Sequence, residues 1–99
     1  MNNTFTRIFE ILSAIPYGHV ATYGQIAEMA PISSARIVGF ALAGLNRSHA
    51  DIPWHRVVNR NGEINPRRVD QMLSQKELLT SEGVKLDKKG RIDLDVYGW

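Results

Sequence analysis

Phe5, Ile8, Phe9, Leu12 and Ile15 recur three and four residues apart, and the run stops at Pro16-Tyr17-Gly18. This spacing predicts a first helix from about Thr4 to about Ala14, with its apolar stripe in the core. Thr22 and Gln25 have the spacing of a capping box, in which the threonine hydroxyl accepts a backbone N–H and the glutamine side chain reaches back. A second helix is therefore predicted over Tyr23–Met29, ended by Pro31. Ser33 or Ser34 can cap a third helix that carries Ile37, Phe40, Ala41 and Leu45 on one face, with Gly39 and Gly44 on others. Two short helices joined by a tight turn predict a helix-turn-helix.

From Arg56 the period changes. Arg56-Val57-Val58-Asn59, then Arg60-Asn61-Gly62, then Glu63-Ile64-Asn65 predict a short β-hairpin, a small wing whose Asn-Gly pair supplies the positive φ of a tight turn. Val69, Met72, Leu73, Leu78 and Leu79 predict a further helix, stopped by Gly83 as a left-handed C-cap. Gly90–Trp99 alternates apolar and polar residues and is predicted to be extended, pinned by Ile92, Leu94 or Trp99. No repeat, low-complexity tract or long linker divides the chain, so residues 1–99 are expected to fold as a single domain. Its class is mainly α with a small β-hairpin, helix-turn-helix or winged-helix-like.

Composition narrows this picture more than it changes it. With 99 residues, 43% hydrophobic, the chain can build one small core and not two. The excess of 12 Lys+Arg over 10 Asp+Glu permits nucleic-acid binding without requiring it. No apolar run approaches the roughly 20 residues that span a bilayer, and MNNTFTRIFE lacks the form of a signal peptide, so an intracellular location is expected, cytoplasmic or nuclear according to the host. There is no cysteine, hence no disulfide, thiolate metal site or thiol nucleophile. His19, His49 and His55 lack metal-ligand spacing, and no cofactor is called for.

Three blocks carry the chemistry: Ala21-Thr22-Tyr23-Gly24-Gln25-Ile26-Ala27, Ala35-Arg36-Ile37-Val38-Gly39, and Ile52-Pro53-Trp54-His55-Arg56-Val57-Val58. In this order and spacing they resemble the C-terminal DNA-binding domain of the O6-alkylguanine-DNA alkyltransferases, whose hallmark is Pro-Cys-His-Arg-Val. Tryptophan in the cysteine slot marks the alkyltransferase-like branch. The resemblance extends through Leu78-Leu79-Thr80-Ser81-Glu82-Gly83 to Tyr97-Gly98-Trp99. Removing an alkyl group needs a nucleophile that attacks the alkyl carbon and keeps it. A thiolate does so, while a neutral indole has no usable lone pair. The resemblance thus implies capture of a damaged base without repair. Trp54 then lines a lesion pocket; on general burial trends alone it would be a core residue.

The same likeness assigns expected roles. Arg36 matches an arginine finger that enters the duplex and fills the space of a flipped nucleotide, a task suited to a planar guanidinium; otherwise it is a solvated helix-start arginine. Ala35 and Gly39 would let that helix approach a narrow minor groove. Tyr23 matches a tyrosine that crowds the 3′ phosphate of the target, or else is a half-buried first-turn aromatic. Thr22 and nearby backbone N–H groups can add phosphate contacts. Arg67 falls at the pocket rim, where a guanidinium can meet the extruded base; with Arg68 it can equally be a phosphate clamp or a solvated helix start. The backbone C=O groups of Trp54 and Val57 would accept from the exocyclic amine of guanine. His55 and Glu82, a proton relay in the transferases, are expected here to be a structural hydrogen-bonded pair. Asn46 corresponds to a hinge asparagine, although residues 46–51 run about one longer than in the transferases. Asp70-Gln71-Met72 also departs from the small, polar stretch of related chains.

The function implied is a non-enzymatic sensor that flips O6-alkylguanine from the minor groove. Its partners would be double-stranded DNA carrying that lesion and, for handover, nucleotide excision repair proteins. A monomer is expected. A helix-turn-helix regulator of undamaged DNA is the alternative, weakened by the lack of an evident dimerisation helix. A glycosylase or nuclease would need a positioned carboxylate or metal, which the pocket blocks do not offer.

Overall fold

The computed structural model describes residues 3–30, 34–45, 51–64 and 69–99. Helix α1 (Asn3–Ala14) turns Ile8, Ile11 and Leu12 inward, with Ile15 just beyond its end, as the 3.6-residue period requires. Strand β1 (Ala21–Thr22) leads straight into α2 (Tyr23–Met29), whose predicted bounds hold because the cap is local chemistry: Thr22 Oγ1 accepts the Gln25 N–H at 3.1 Å. The Gln25 side chain is drawn elsewhere, its Nε2 donating to the Trp99 carbonyl. Ala30 closes α2 by returning its N–H to the Ile26 and Ala27 carbonyls; Pro31 lies outside the described residues.

Ser34, rather than Ser33, caps α3 (Ala35–Ala43), its Oγ accepting from the Ile37 N–H. The face predicted for this helix is rotated. Val38 and Ala41 are fully buried, while Phe40 is 51% exposed. Two residues separate Phe40 from Val38, about 200° around the helix, so burying Val38 sends Phe40 outward. Helices α1, α2 and α3 enclose the first core, which Val57 completes and to which Tyr23, Ile37, Ile52 and Trp99 pack partly buried.

The predicted hairpin is replaced by a different pairing. Strand β2 (Val57–Val58), reached through a 3₁₀ turn at Trp54–Arg56, lies parallel to β1 with Ala21 opposite Val57 and Thr22 opposite Val58. Both valines are buried, as befits a strand covered on both sides, and a solvated wing could not cover them. The Asn-Gly turn does form: the Asn59 N–H donates to the Glu63 carbonyl, Asn59 Oδ1 accepts from Asn61 and Glu63, and Gly62 adopts φ +78°. Glu63 then pairs antiparallel with Arg91 instead of with the strand before the turn.

Helix α4 (Val69–Ser81) ends as predicted at Gly83, φ +86°. The Gly83 N–H returns to the Thr80 carbonyl and the Val84 N–H to Leu79, while Leu79 and Val84 meet in a second core with Val20, Val58, Ile64 and Ile92. The segment predicted to be wholly extended instead contains α5 (Leu94–Tyr97), because the Asp93 carboxylate accepts the Asp95 N–H and starts a helical turn. That turn brings the chain back beside Val20, whose N–H donates to Tyr97 and whose carbonyl receives the Trp99 N–H. Among the described residues no helix is long and apolar enough to cross a membrane.

Candidate nucleic-acid interface

Helix α3 presents Ala35, Arg36, Phe40 and Ala43 to solvent. The Arg36 guanidinium carbon lies 5.4 Å from the centre of the Phe40 ring, one turn along the same face. Gly39 sits between them, half-buried, and a Cβ built there would meet nothing within 4 Å. Gly24 in α2 is equally unopposed. Glycine inside a helix costs roughly 1 kcal/mol relative to alanine, and among the described residues no neighbour requires it here.

Tyr23, the first residue of α2, is half-buried against the first core, with Thr22 beside it as the N-cap. Trp54 is also only partly buried, held at the start of the 3₁₀ turn by its N–H to the Ile52 carbonyl at 2.8 Å. Its ring stands edge-on to His55, centroids 6.1 Å apart and planes at 84°. The indole is therefore not sealed inside.

Behind Trp54 lies a buried ionic cluster. Glu82, just past α4, receives His55 Nε2 at 2.6 Å, Arg56 through Nε at 3.0 Å and Nη2 at 2.9 Å, and the Gly18 N–H at 2.8 Å. Burial alone would push this carboxyl up. The Arg56 fork, the Gly18 N–H and His55 outweigh it and hold the pKa at about 2. Glu82 is then ionised and can only accept, so His55 Nε2 must carry the shared proton. Arg56 also donates to the Ile15 carbonyl at 2.9 Å and lies over the Tyr17 ring, whose hydroxyl donates to the Ser81 carbonyl. One carboxylate thus ties the turn after α1, the 3₁₀ turn and the end of α4 together. The hydrogen bond expected between His55 and Glu82 is present; the larger part played by Arg56 was not anticipated, although its place inside the His-Arg-Val block was the available signal.

Gln75 was also missed. It is 3% exposed, and its Nε2 donates to the carbonyls of His55 and Val57, each at 3.0 Å. A polar residue three after Met72 and four before Leu79, on the apolar stripe of a helix, was the sign in the sequence. The two carbonyls expected to accept from guanine each take one hydrogen bond within the domain, that of Trp54 from the Val57 N–H and that of Val57 from Gln75, and each keeps a second lone pair. The Val57 side chain is buried in the first core. Asn46, Arg67 and Arg68 lie outside the described residues. Two surface grooves, of about 620 and 660 Å³, are lined by residues 60–61, 85–87 and 91–97 and by residues 76, 80, 83–88 and 90 respectively, and neither includes Tyr23, Arg36 or Trp54.

Residues 3–84 match the family described as "6-O-methylguanine DNA methyltransferase, DNA binding domain". A "DNA base-flipping protein" of Escherichia coli K12 is 43% identical over 94 residues, covering 94% of this chain and 71% of that protein. "Alkyltransferase-like protein 1" of Schizosaccharomyces pombe is 35% identical, covering 100% and 96%. Among solved structures, S. pombe Atl1 in complex with damaged DNA containing O6-carboxymethylguanine superposes with a TM-score of 0.88 at 36% identity, over 100% of this chain and 96% of that one. Mycobacterium tuberculosis OGT in complex with DNA gives 0.67 at 27%, covering 83% of this chain and 52% of that one.

Proposed function

The chain belongs to the family of the 6-O-methylguanine DNA methyltransferase DNA-binding domain, and from that premise we propose that it recognises O6-alkylguanine in double-stranded DNA by turning the base out of the helix, without transferring the alkyl group. The observation that carries this reading is Trp54: a partly exposed indole stands in the family's Pro-x-His-Arg-Val block, in a chain with no cysteine. The ionic cluster behind it is complete, so the scaffold that would position a reactive residue is kept while the residue itself cannot accept an alkyl carbon.

Extruding a base costs a few kcal/mol, and less for a damaged or weakly paired one. Stacking on an aromatic or guanidinium returns roughly 1–3 kcal/mol per base, enough to hold an adducted guanine out more readily than a normal one. In this scheme α3 enters the minor groove through Ala35 and Gly39, Arg36 leaves Phe40 to fill the vacated position, and Tyr23 and Thr22 meet the backbone phosphates at the start of α2. Arg67, followed by Arg68, is expected to contact the extruded base or to clamp a phosphate. The bound protein, a monomer, then marks the lesion for nucleotide excision repair.

Binding is compared at one fixed salt concentration, on duplexes that differ only in O6-methylguanine or guanine, with the methyl group radiolabelled. The adducted duplex is expected to bind more tightly, with no label on the protein, and Arg36→Ala to weaken that binding by about tenfold, the scale of one lost stacking contact. Equal affinity for the two duplexes would sink the proposal.

A further inference from the structure

Resting on that reading, we propose that Phe40 is a second minor-groove contact, an apolar wedge that props the duplex open one helical turn along from the Arg36 finger. Phe40 belongs to neither core and is 51% exposed even with the Arg36 guanidinium carbon 5.4 Å from its ring centre. One exposed apolar side chain is ordinary on a protein surface. This one is set apart by its surroundings. The exposed residues of α3 are Ala35, Arg36, Phe40 and Ala43, and the helix carries a single charge, the Arg36 cation, with no carboxylate. One cation, one ring and otherwise methyl groups suit the apolar sugar and base edges of a groove flanked by phosphates, where an acidic side chain would be repelled.

Arg36 and Phe40 are four residues apart, a rise of about 6 Å along the helix. Successive nucleotides of one strand rise about 3.4 Å, so a helix lying along the groove sets ring and finger on different base steps, just under two apart. When the guanidinium withdraws to fill the vacated stack, the ring loses its cation and more of its apolar surface is bared. A sugar face and a partly opened base step can cover it, as they do for phenylalanine wedges that kink DNA from the minor groove. That groove is about 6 Å wide in B-DNA, too narrow for a helix with a ring on its face. Contact at Phe40 therefore entails a widened and bent duplex.

The test reads affinity and bending together, on an O6-methylguanine duplex with a fluorescent dye at each end. The wild-type protein is expected to shorten the end-to-end distance. Phe40→Ala is expected to bind about tenfold more weakly, the scale of one lost aromatic contact, and to bend the duplex less. Phe40→Leu keeps apolar bulk without the ring's attraction for Arg36, and should bind and bend nearer to wild type. A one-nucleotide gap in the undamaged strand, two steps from the lesion and on either side in separate duplexes, makes the DNA easy to deform. On one of these the deficit of Phe40→Ala should shrink, whereas a misplaced finger would stay weak on both. A Phe40→Ala protein that binds and bends like wild type overturns the assignment. So does one that binds more tightly because the ring only parks Arg36, a Phe40→Leu protein as deficient as Phe40→Ala, or a deficit unchanged on both gapped duplexes. Wild-type protein that binds the adducted duplex no more tightly than an undamaged one overturns the lesion reading and the wedge with it, which separates the two failures.

Discussion

Glu82 is the residue on which the site is braced, and its charge makes that bracing sensitive to acid. Its folded pKa of about 2 lies below the ordinary 4.5, so the stabilisation is fully present above about pH 4.5 and is lost as pH falls towards 2. A shift of this size corresponds to an increment on the order of 3 kcal/mol. We expect the wild-type urea midpoint to drop across that window, and Glu82→Gln to be less stable at pH 7 while lacking this part of the drop. A wild-type curve parallel to that of Glu82→Gln between pH 5 and 2.5 would show that the cluster is not held by charge. Arg56 is the residue most damaged by the same change, since its guanidinium would remain 15% exposed with no carboxylate beside it.

Helix α3 illustrates a conflict between folding and contact with a partner. Gly39 weakens the helix and no neighbour among the described residues demands it, so Gly39→Ala should stabilise the free domain by up to roughly 1 kcal/mol, or several degrees in Tm for a chain of this size. The added methyl would stand on the surface proposed to approach DNA, and lesion affinity should fall, as titration of the adducted duplex would record. A variant that is both more stable and fully binding would move the interface off this helix. Cap chemistry made α2 and α3 readable from local residues: Thr22 and Ser34 each accept the N–H three residues on. The inward face of α3 was less readable because Val38 and Phe40 are both apolar, and only the neighbours α1 and α2 select Val38 for burial.

At the scale of the whole molecule, Trp99 joins the two cores. Its N–H donates to the Val20 carbonyl, in the second core, while its ring packs on the first and its carbonyl receives Gln25 from α2. Trp99→Ala keeps the backbone bonds and removes the ring, and we expect a loss of about 2–4 kcal/mol, measured as a lower urea midpoint with an unchanged slope. Since Gln25 follows Tyr23 and Thr22 by one turn or less, the same variant should bind the adducted duplex more weakly. Full retention of stability would place the ring outside the core.

Much of the architecture was legible from the sequence, because its determinants lie within three or four residues of one another: the stripe of α1, the Thr22 and Ser34 caps, the Asn61-Gly62 turn and the Gly83 stop. The block around Trp54 and the absence of cysteine were equally legible, and they bound the chemistry without reference to shape. Tertiary structure alone decided the partners. Val57-Val58 and Glu63 carry the alternation of a hairpin, but β1 and Arg91 compete for them from far away in sequence and win by burying both valines. Glu82 meets Gly18 across 64 positions and His55 across 27, and Gln75 reaches Val57 across 18. Periodicity reports which way a side chain must face; which buried donor meets which buried acceptor is settled only when the helices pack and water is excluded.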